Sequence, residues 1–242
     1  MTETLQTADP SGDAGRTGAT GPGGTTLAPA DRTSAIELLG LVARLELASF
    51  ARLADDAGAA PGIGQQLALS RFAADSVQRG DRALHRIAEL GGDPEQAVSA
   101  FEHLLDDFDA RVSSSTWWER LLTSYVGYGV AEDFCRMAAA GIDAESRALV
   151  LEILDDTGPS ELAVTELEAA GGGDEVLASR LALWGRRLVG EALGVVQQAL
   201  VARPGLVRLV AEGGTGTEPP ARLFGELTAQ HTRRMARLGL TA

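Results

Sequence analysis

The stretch DRTSAIELLGLVARLELASFARLADDA, residues 31–57, predicts a long amphipathic helix that contains one misplaced residue. Steps of three and four residues connect the positions that such a helix presents to a bundle core. These positions are Ile36, Leu39, Ala43, Glu46, Phe50 and Leu53. An ionised carboxylate in an apolar core is costly unless it is paired, hydrogen-bonded or bound to a metal ion. Glu46 therefore predicts partners elsewhere in the chain.

The composition is that of a globular protein. The 242 residues are 45% hydrophobic, which is enough for a sizeable core. With 34 acidic and 21 basic residues, the net charge of −13 disfavours an extended nucleic-acid surface but leaves room for a local basic patch. The single cysteine, Cys135, cannot form an internal disulfide. There is no basic, apolar leader and no apolar run of about 18 residues, so we expect a cytoplasmic protein without membrane association.

The composition divides the chain into four segments. Residues 1–30 are rich in Gly, Thr, Ala and Pro and are predicted to form a disordered tail. Residues 31–212 carry the helical pattern of one bundle, and residues 213–220 are predicted to be a linker. Residues 221–242 are predicted to form a basic helix that packs on the acidic bundle, with phosphate or RNA contact as the alternative. The charged residues of this last segment are Arg222, Arg233, Arg234, Arg237 and Glu226.

Helix signals recur throughout the central segment, with caps predicted at Asp93, Thr116 and Asp143. The predicted helices cover residues 31–58, 65–90, 93–112, 117–140, 143–167 and 174–202, followed by a short helical segment after Pro204. The third of these is expected to connect the second and fourth, and the fifth is expected to kink at Gly158 and Pro159. Because the alternation typical of strands is absent, the predicted fold class is all-α.

Three further acidic residues fall among apolar positions of the later helices. They are Asp133 in the fourth helix, Asp156 in the fifth and Glu191 in the sixth. The second helix places Ser76 and Arg79 at the spacing of its apolar side. Long helices that each bring an acid inward have the layout of ferritin-like di-iron bundles, in which two helices supply a Glu and two supply Glu-x-x-His.

Four segments of the chain resemble the actinobacterial ferritin-like proteins grouped as MiaE-like, after the hydroxylase of 2-methylthio-N6-isopentenyladenosine in transfer RNA. The segments are ELLGLVARLELASFARLA (37–54), YVGYGVAEDF (125–134), RLALWGRRLVGEAL (180–193) and LFGELTAQHTRRMARLGL (223–240). The resemblance implies a four-helix bundle with a connecting crossover helix and additional C-terminal helices. It also implies an ancestral site in which two irons activate oxygen.

The ligand set that the resemblance implies is incomplete in this chain. Glu46 matches the carboxylate of the first helix, but Ser76 and Arg79 stand where the family has Glu-x-x-His, and Asp156 is followed by Pro159 where a second histidine is implied. His85 follows Ser76 by nine residues, about 13 Å along a helix. The other two histidines, His103 in the connecting helix and His231 near the C-terminus, are equally unsuited as ligands.

These substitutions suggest a metal-free bundle without a cofactor. Arg79 could bond to Glu46, Asp133 or Asp156 and replace the metal cations, and Arg187 could neutralise Glu191, which lies one turn away. The predicted function is then binding of a protein or small molecule, or a structural role, and a homo-oligomer is compatible with it. The alternative is an active di-iron monooxygenase with two iron ions that hydroxylates a modified adenosine in transfer RNA. A bundle with an apolar ligand pocket is a third hypothesis.

Overall fold

The computed structural model describes residues 27–212 and 219–242, and within these ranges every regular element is a helix. The prediction of an all-α fold is therefore confirmed for the described part of the chain. The α-helices are α1 (Pro29–Ala59), α2 (Ile63–Glu89), α3 (Pro94–Ser99), α4 (Glu102–Arg111), α5 (Trp117–Leu122), α6 (Gly129–Ala138), α7 (Ala144–Ile153), α8 (Gly158–Gly171), α9 (Glu175–Ala202), α10 (Pro204–Glu212) and α11 (Pro219–Arg237). A π-helical turn, Thr123–Tyr128, joins α5 to α6, and a 3-10 turn, Ala139–Gly141, follows α6.

Helices α1 and α2 form a long antiparallel hairpin, which is the most extensive helix pair of the bundle. Helix α1 begins at Pro29, whose fixed backbone angle suits the first turn, with Asp31 close to the positive end of the helix dipole. The predicted tail is thus two residues too long at its end. The remainder of that prediction, residues 1–26, lies outside the described residues, as does most of the predicted linker, residues 213–218.

Residues 93–112, predicted as one connecting helix, form two. Asp93 caps α3 by accepting a hydrogen bond from the backbone N–H of Gln96, as its sequence position indicates. The helix then breaks at Ala100 and Phe101, where Phe101 leaves the helical conformation and becomes buried. The crossover therefore consists of α3 and α4.

We call the long helical segments of the bundle rods, of which α1 and α2 are the first two. The third rod runs without interruption through α5, the π-helical turn and α6. Its start has the predicted capping box, in which the Thr116 hydroxyl accepts from the backbone of Glu119 and the Glu119 carboxylate accepts from the backbone of Thr116. The π-helical turn in the middle was not predicted. Such turns widen a helix by one residue and occur often at functional sites.

The fourth rod is broken where a kink was predicted. Residues 154–157 separate α7 from α8, and Gly158 and Pro159 open α8 instead of bending a continuous helix. Pro159 suits this position because the first turn of a helix needs no backbone N–H from it. Helix α9 packs beside the third rod and α4, while α10 contacts α1 and α11 contacts α6 and α9.

The apolar core runs through all rods and includes Leu38, Val42, Leu122, Phe134 and Leu188, each almost fully buried. One residue of the predicted core lies outside it, because the Phe50 side chain is 40% exposed on the outer side of α1. In the described ranges, no helix is both long enough and apolar enough to cross a membrane.

Candidate functional site: a polar cluster inside the bundle

Glu46 finds its partner on the facing helix of the hairpin. The Glu46 Oε2 atom accepts a hydrogen bond from Arg79 Nε at 3.1 Å and lies 3.0 Å from Arg79 Nη2. The two side chains are only 9% and 15% exposed, respectively. A guanidinium that meets one carboxylate through two nitrogens is fixed in orientation as well as in position.

Arg79 also reaches two other residues predicted from the sequence. Its Nη1 donates to Asp156 Oδ2 at 2.6 Å, and its Nη2 donates to Ser76 Oγ at 3.0 Å. Ser76 is fully buried and donates in turn to the backbone carbonyl of Phe72. We call Glu46, Ser76, Arg79 and Asp156 the Arg79 cluster. It links α1, α2 and the α7–α8 junction through one cation.

The break before α8 gives Asp156 its position. Its Oδ1 accepts from the backbone N–H of Gly158, which orients the carboxylate toward α2. A side chain at residue 158 would meet the ring of Phe72, with a Cβ only 2.6 Å from Phe72 Cε1. Glycine therefore permits the close approach of the α8 terminus to α2 that brings Asp156 to Arg79.

Burial shifts the pKa of the Glu46 carboxyl more strongly than the ion pair with Arg79 does. Burial raises the pKa of Glu46 from 4.5 to about 7, although the charge and hydrogen bonds of Arg79 act in the opposite direction. The charges of Glu132 and Asp156 raise this pKa further. Glu46 therefore changes its protonation state close to neutral pH while it remains inside the bundle.

The Arg79 cluster lies in the wall of a small polar cavity between the rods. The polar residues that line the cavity are Glu46, Ser49, Arg52, Arg79, Ser124, Glu132, Asp156 and Ser160. The open space has room for about two water molecules. Ser124 belongs to the π-helical turn, so the irregular part of the third rod forms one wall of the cavity.

Arg52 is a second cation at this cavity. Its guanidinium lies over the ring of Tyr128, with Cζ 3.8 Å from the ring centroid, and its Nη2 donates to Ser49 Oγ at 3.2 Å. The Nε and Nη1 atoms are buried and have no hydrogen-bond partner among the described residues. Tyr128 is itself held by Asp109, to which its hydroxyl donates at 2.7 Å.

Asp133 belongs to a neighbouring ion pair and does not contact Arg79. Arg234 of α11 donates to both oxygens of Asp133, with Nη2 and Oδ1 2.9 Å apart. Arg136 adds a third hydrogen bond at 3.2 Å. A side chain at Gly129 would collide with Arg234, because its Cβ would lie 2.7 Å from Arg234 Nε. Asp133 and Gly129 together form the site at which α11 docks.

The expected pairing of Arg187 with Glu191 does not occur. Glu191 accepts from Arg111 Nε at 2.7 Å, on the side of α9 that faces α4. Arg187 donates to the backbone carbonyl of Arg111 at 2.7 Å and its guanidinium stacks over Trp184. The α4 residue Arg111 occupies the place that was predicted for Arg187, because the connecting segment runs alongside α9. Both residues are outside the Arg79 cluster.

The residues present do not fit a di-iron centre. In the described ranges, no group of three or more His, Cys, Asp or Glu side chains is arranged to hold a metal ion. No histidine lines the cavity, since His85 and His103 are exposed and His231 is buried in the packing of α11. Arg79 lies at hydrogen-bond distance from the carboxylates of Glu46 and Asp156. Its fixed positive charge would repel a metal ion placed between them.

Two charged cavity residues, Arg52 and Glu132, were not predicted from the sequence, nor were the serines Ser49 and Ser124. The predicted pattern identifies the buried residues Val126, Val130 and Asp133 correctly, but Glu132 is only half-buried and has no apolar spacing that would single it out. For Arg52 a signal existed, because Glu46, Ser49 and Arg52 follow one another at intervals of three residues.

A comparison with protein families agrees with the architecture. Residues 30–213 match the family described as ferritin-like domain, actinomycetes. The match spans α1 to α10 and ends before α11. A comparison with curated proteins gave no significant match. The ferritin-like fold predicted from the sequence is thereby confirmed.

Proposed function

The chain belongs to the family of ferritin-like domains of actinomycetes, and from this premise we propose that it is a metal-free member that acts as a binding or structural protein. The observation that carries the proposal is the position of Arg79. A guanidinium bonded to Glu46 and Asp156 supplies in the bundle core the positive charge that metal ions supply in di-iron relatives of this fold.

Within this proposal, the two α2 residues Ser76 and Arg79 replace a metal-binding pair. A neutral serine hydroxyl is a weaker metal ligand than the carboxylate it replaces, and a guanidinium that stays protonated has no lone pair for iron. The narrow cavity supports the same view, because a modified adenosine could not enter a space that holds about two water molecules. No contact of the described residues favours the alternative of a transfer RNA hydroxylase.

A kinship with the MiaE-like proteins is part of the proposal. The chain would have kept the bundle of an oxygen-activating ancestor, including the acids Glu46, Glu132 and Asp156 that line the cavity, while an arginine took over the charge balance. Such a protein would act through its surfaces, by binding a protein or small molecule, and not through chemistry at the core.

Metal content tests the proposal directly. The full chain is purified without chelator from iron-supplemented cells, and its iron, manganese and zinc are measured by mass spectrometry. We expect less than about 0.1 metal ion per folded chain, and no spectral change when Co²⁺ is added to the protein under argon. Close to two irons per chain, or d–d bands of bound Co²⁺ that disappear on mutation of Glu46, would overturn the proposal.

A further inference from the structure

One ionisable residue of α11 lies in an environment that offers it no hydrogen bond. His231 is only 2% exposed, and both of its ring nitrogens are buried without a partner in the part of the chain that the structure describes. A neutral imidazole carries one N–H donor and one acceptor, so both groups lose their hydration without compensation. Buried polar groups without partners are uncommon in folded proteins and require a physical explanation.

His231 belongs to the side of α11 that packs on the bundle. The buried residues of this side follow one another at intervals of four and are Leu223, Leu227, His231 and Met235. Arg234, three residues after the histidine, donates a hydrogen bond to Asp133 of α6 at 2.9 Å. The imidazole therefore lies within the apolar contact between α11 and the bundle, beside the ion pair that joins the two.

The ionisable groups on the elements that contact α11 leave His231 without a countercharge. These elements are α6, α9, α10 and the π-helical turn. Their charged residues with other partners are Glu132, Asp133, Arg136, Arg180, Arg186, Arg187, Glu191, Arg208 and Glu212. Glu175, at the start of α9, is exposed. Burial raises the pKa of the three remaining groups, which are therefore uncharged at neutral pH: Tyr125, Tyr128 and Cys135.

The charge that acts on His231 is positive. Burial lowers the pKa of His231 from its usual 6.5, and the neighbouring Arg234 lowers it further. The other charges of this part of α11 are engaged, because Glu226 pairs with Arg233 and Arg237 pairs with Glu161 of α8. A proton on the docked imidazole would thus place two positive charges side by side in an apolar contact.

Release of α11 from the bundle would return the imidazole to water, where it binds a proton more readily. Docking is therefore strongest above pH 6.5, and it weakens as the pH falls below this value. We propose that His231 makes the docking of α11 dependent on pH, such that protonation of its imidazole releases this helix and uncovers the apolar side chains of Leu223, Leu227 and Met235. The surface that the protein presents would then differ between neutral and mildly acidic conditions.

Hydrogen–deuterium exchange of the full chain tests this proposal, with protection factors corrected for the intrinsic exchange rate at each pH. Between pH 7.5 and pH 5, the protection of α11 amides should fall at least about tenfold relative to α2, since one unit of pKa difference corresponds to a factor of ten. His231→Leu should abolish this fall and raise the protection at both pH values, because it removes two buried nitrogens without partners. His103→Leu, at an exposed histidine of α4, is the matched control and should retain the fall.

A second variant separates titration from packing. His231→Gln keeps a polar side chain that cannot titrate, so the dependence on pH should disappear without the gain in protection expected for leucine. A fall of the same size in both His231 variants, or no fall in the unmodified chain, would overturn the proposal. Neither result depends on the metal content of the core, so the two proposals can fail independently.

Discussion

At the scale of single residues, Arg79 holds the polar interior together. It bonds to Glu46 and Asp156 on two other elements and to Ser76 on its own helix. The loss of one partner from a buried ion pair is costly, because it leaves the other charge desolvated and unpaired. Under the proposed function, the positive charge of this one side chain takes the place of metal ions.

Arg79→Ala should destabilise the protein by about 3 kcal/mol at pH 8. The loss should be smaller at pH 5, where Glu46 is protonated and needs no cation. Urea unfolding followed by circular dichroism measures both values. Arg82→Ala is the matched control on α2, since its ion pair with Glu152 is exposed to solvent and should contribute little to stability. A loss below about 1 kcal/mol for Arg79→Ala would contradict the structural role of the cluster.

Glu46 makes the stability dependent on pH. Since burial raises its pKa from 4.5 to about 7, the folded chain binds this proton more tightly than the unfolded chain does. The resulting stabilisation is complete below pH 4.5 and is lost as the pH rises through 7. The pKa difference corresponds to about 3 kcal/mol. Glu46→Gln should therefore flatten the decline in unfolding free energy between pH 5 and pH 8, and parallel curves for the two proteins would show that Glu46 does not titrate in this range.

At the scale of helices, close approach is decided by glycines that face a neighbouring backbone. Gly40 on α1 faces α3 so closely that a Cβ at this position would lie 2.5 Å from the carbonyl oxygen of Ala97. A backbone carbonyl cannot rotate away as a side chain can, so the two helices would have to separate. At Gly190 on α9, in contrast, a Cβ would lie within 4 Å of no atom of a neighbouring helix.

The two glycines should respond to alanine in opposite ways. Gly40→Ala should destabilise by about 1 to 3 kcal/mol, because steric overlap exceeds the gain in helix propensity. Gly190→Ala should stabilise by up to about 1 kcal/mol through propensity alone. Thermal denaturation of both variants measures the difference in sign. An increase in stability for both would mean that α1 and α3 can move apart without loss.

Helix α11 packs on the bundle through buried apolar side chains, among them Leu223, Leu227 and Met235, and through an ion pair that is largely buried. Arg234 is 16% exposed and Asp133 is 11% exposed, and the pair joins α11 to α6. Arg234→Met should loosen α11 and leave the bundle folded, so its amides should exchange with deuterium at least about tenfold faster while those of α2 do not change. Arg233→Ala, which removes an exposed pair with Glu226, is the control without an effect. Unchanged exchange in Arg234→Met would show that apolar packing alone holds α11.

At the scale of the whole molecule, the described residues form a large apolar core and a smaller apolar cluster of Leu53, Ala57, Leu69 and Ala73, with a polar cavity between the helices. Arg79 lies within hydrogen-bond distance of Glu46 and Asp156, and under the proposed function this cation takes the place of a bound metal ion. A metal that bound only the folded state at a concentration 100 times its Kd would add about 2.7 kcal/mol of stability.

The melting temperature should therefore be the same with and without a chelator. We expect a change of less than about 1 °C on addition of EDTA, and none on addition of Fe²⁺ under argon, in differential scanning calorimetry. Glu46→Gln provides the comparison, because it abolishes a carboxylate that any metal in the cavity would use. A decrease in melting temperature on chelation that is absent in Glu46→Gln would contradict a metal-free core.

The sequence by itself determined the helical class, most helix ends and the inward position of Glu46. These features depend on local chemistry, such as the caps at Asp93, Thr116 and Asp143, and on the spacing of apolar residues. Ser76 and Arg79 could be placed opposite Glu46 because regular helices keep their phase over many turns. Of the four acids predicted to face inward, Glu46 and Asp133 are buried, Glu191 is half-buried and Asp156 is exposed. Arg79 was correctly predicted as a partner of Glu46 and Asp156, whereas the partners of Asp133 and Glu191 were not.

Only the tertiary structure decided which charges meet. The break before α8 brought Asp156 to Arg79, α11 supplied Arg234 to Asp133, and the crossover segment supplied Arg111 to Glu191. Each pairing joins residues that are far apart in the chain, so no local pattern encodes it. Helix periodicity specifies on which side of its helix a residue lies, whereas the packing of the helices against one another specifies which residues it contacts.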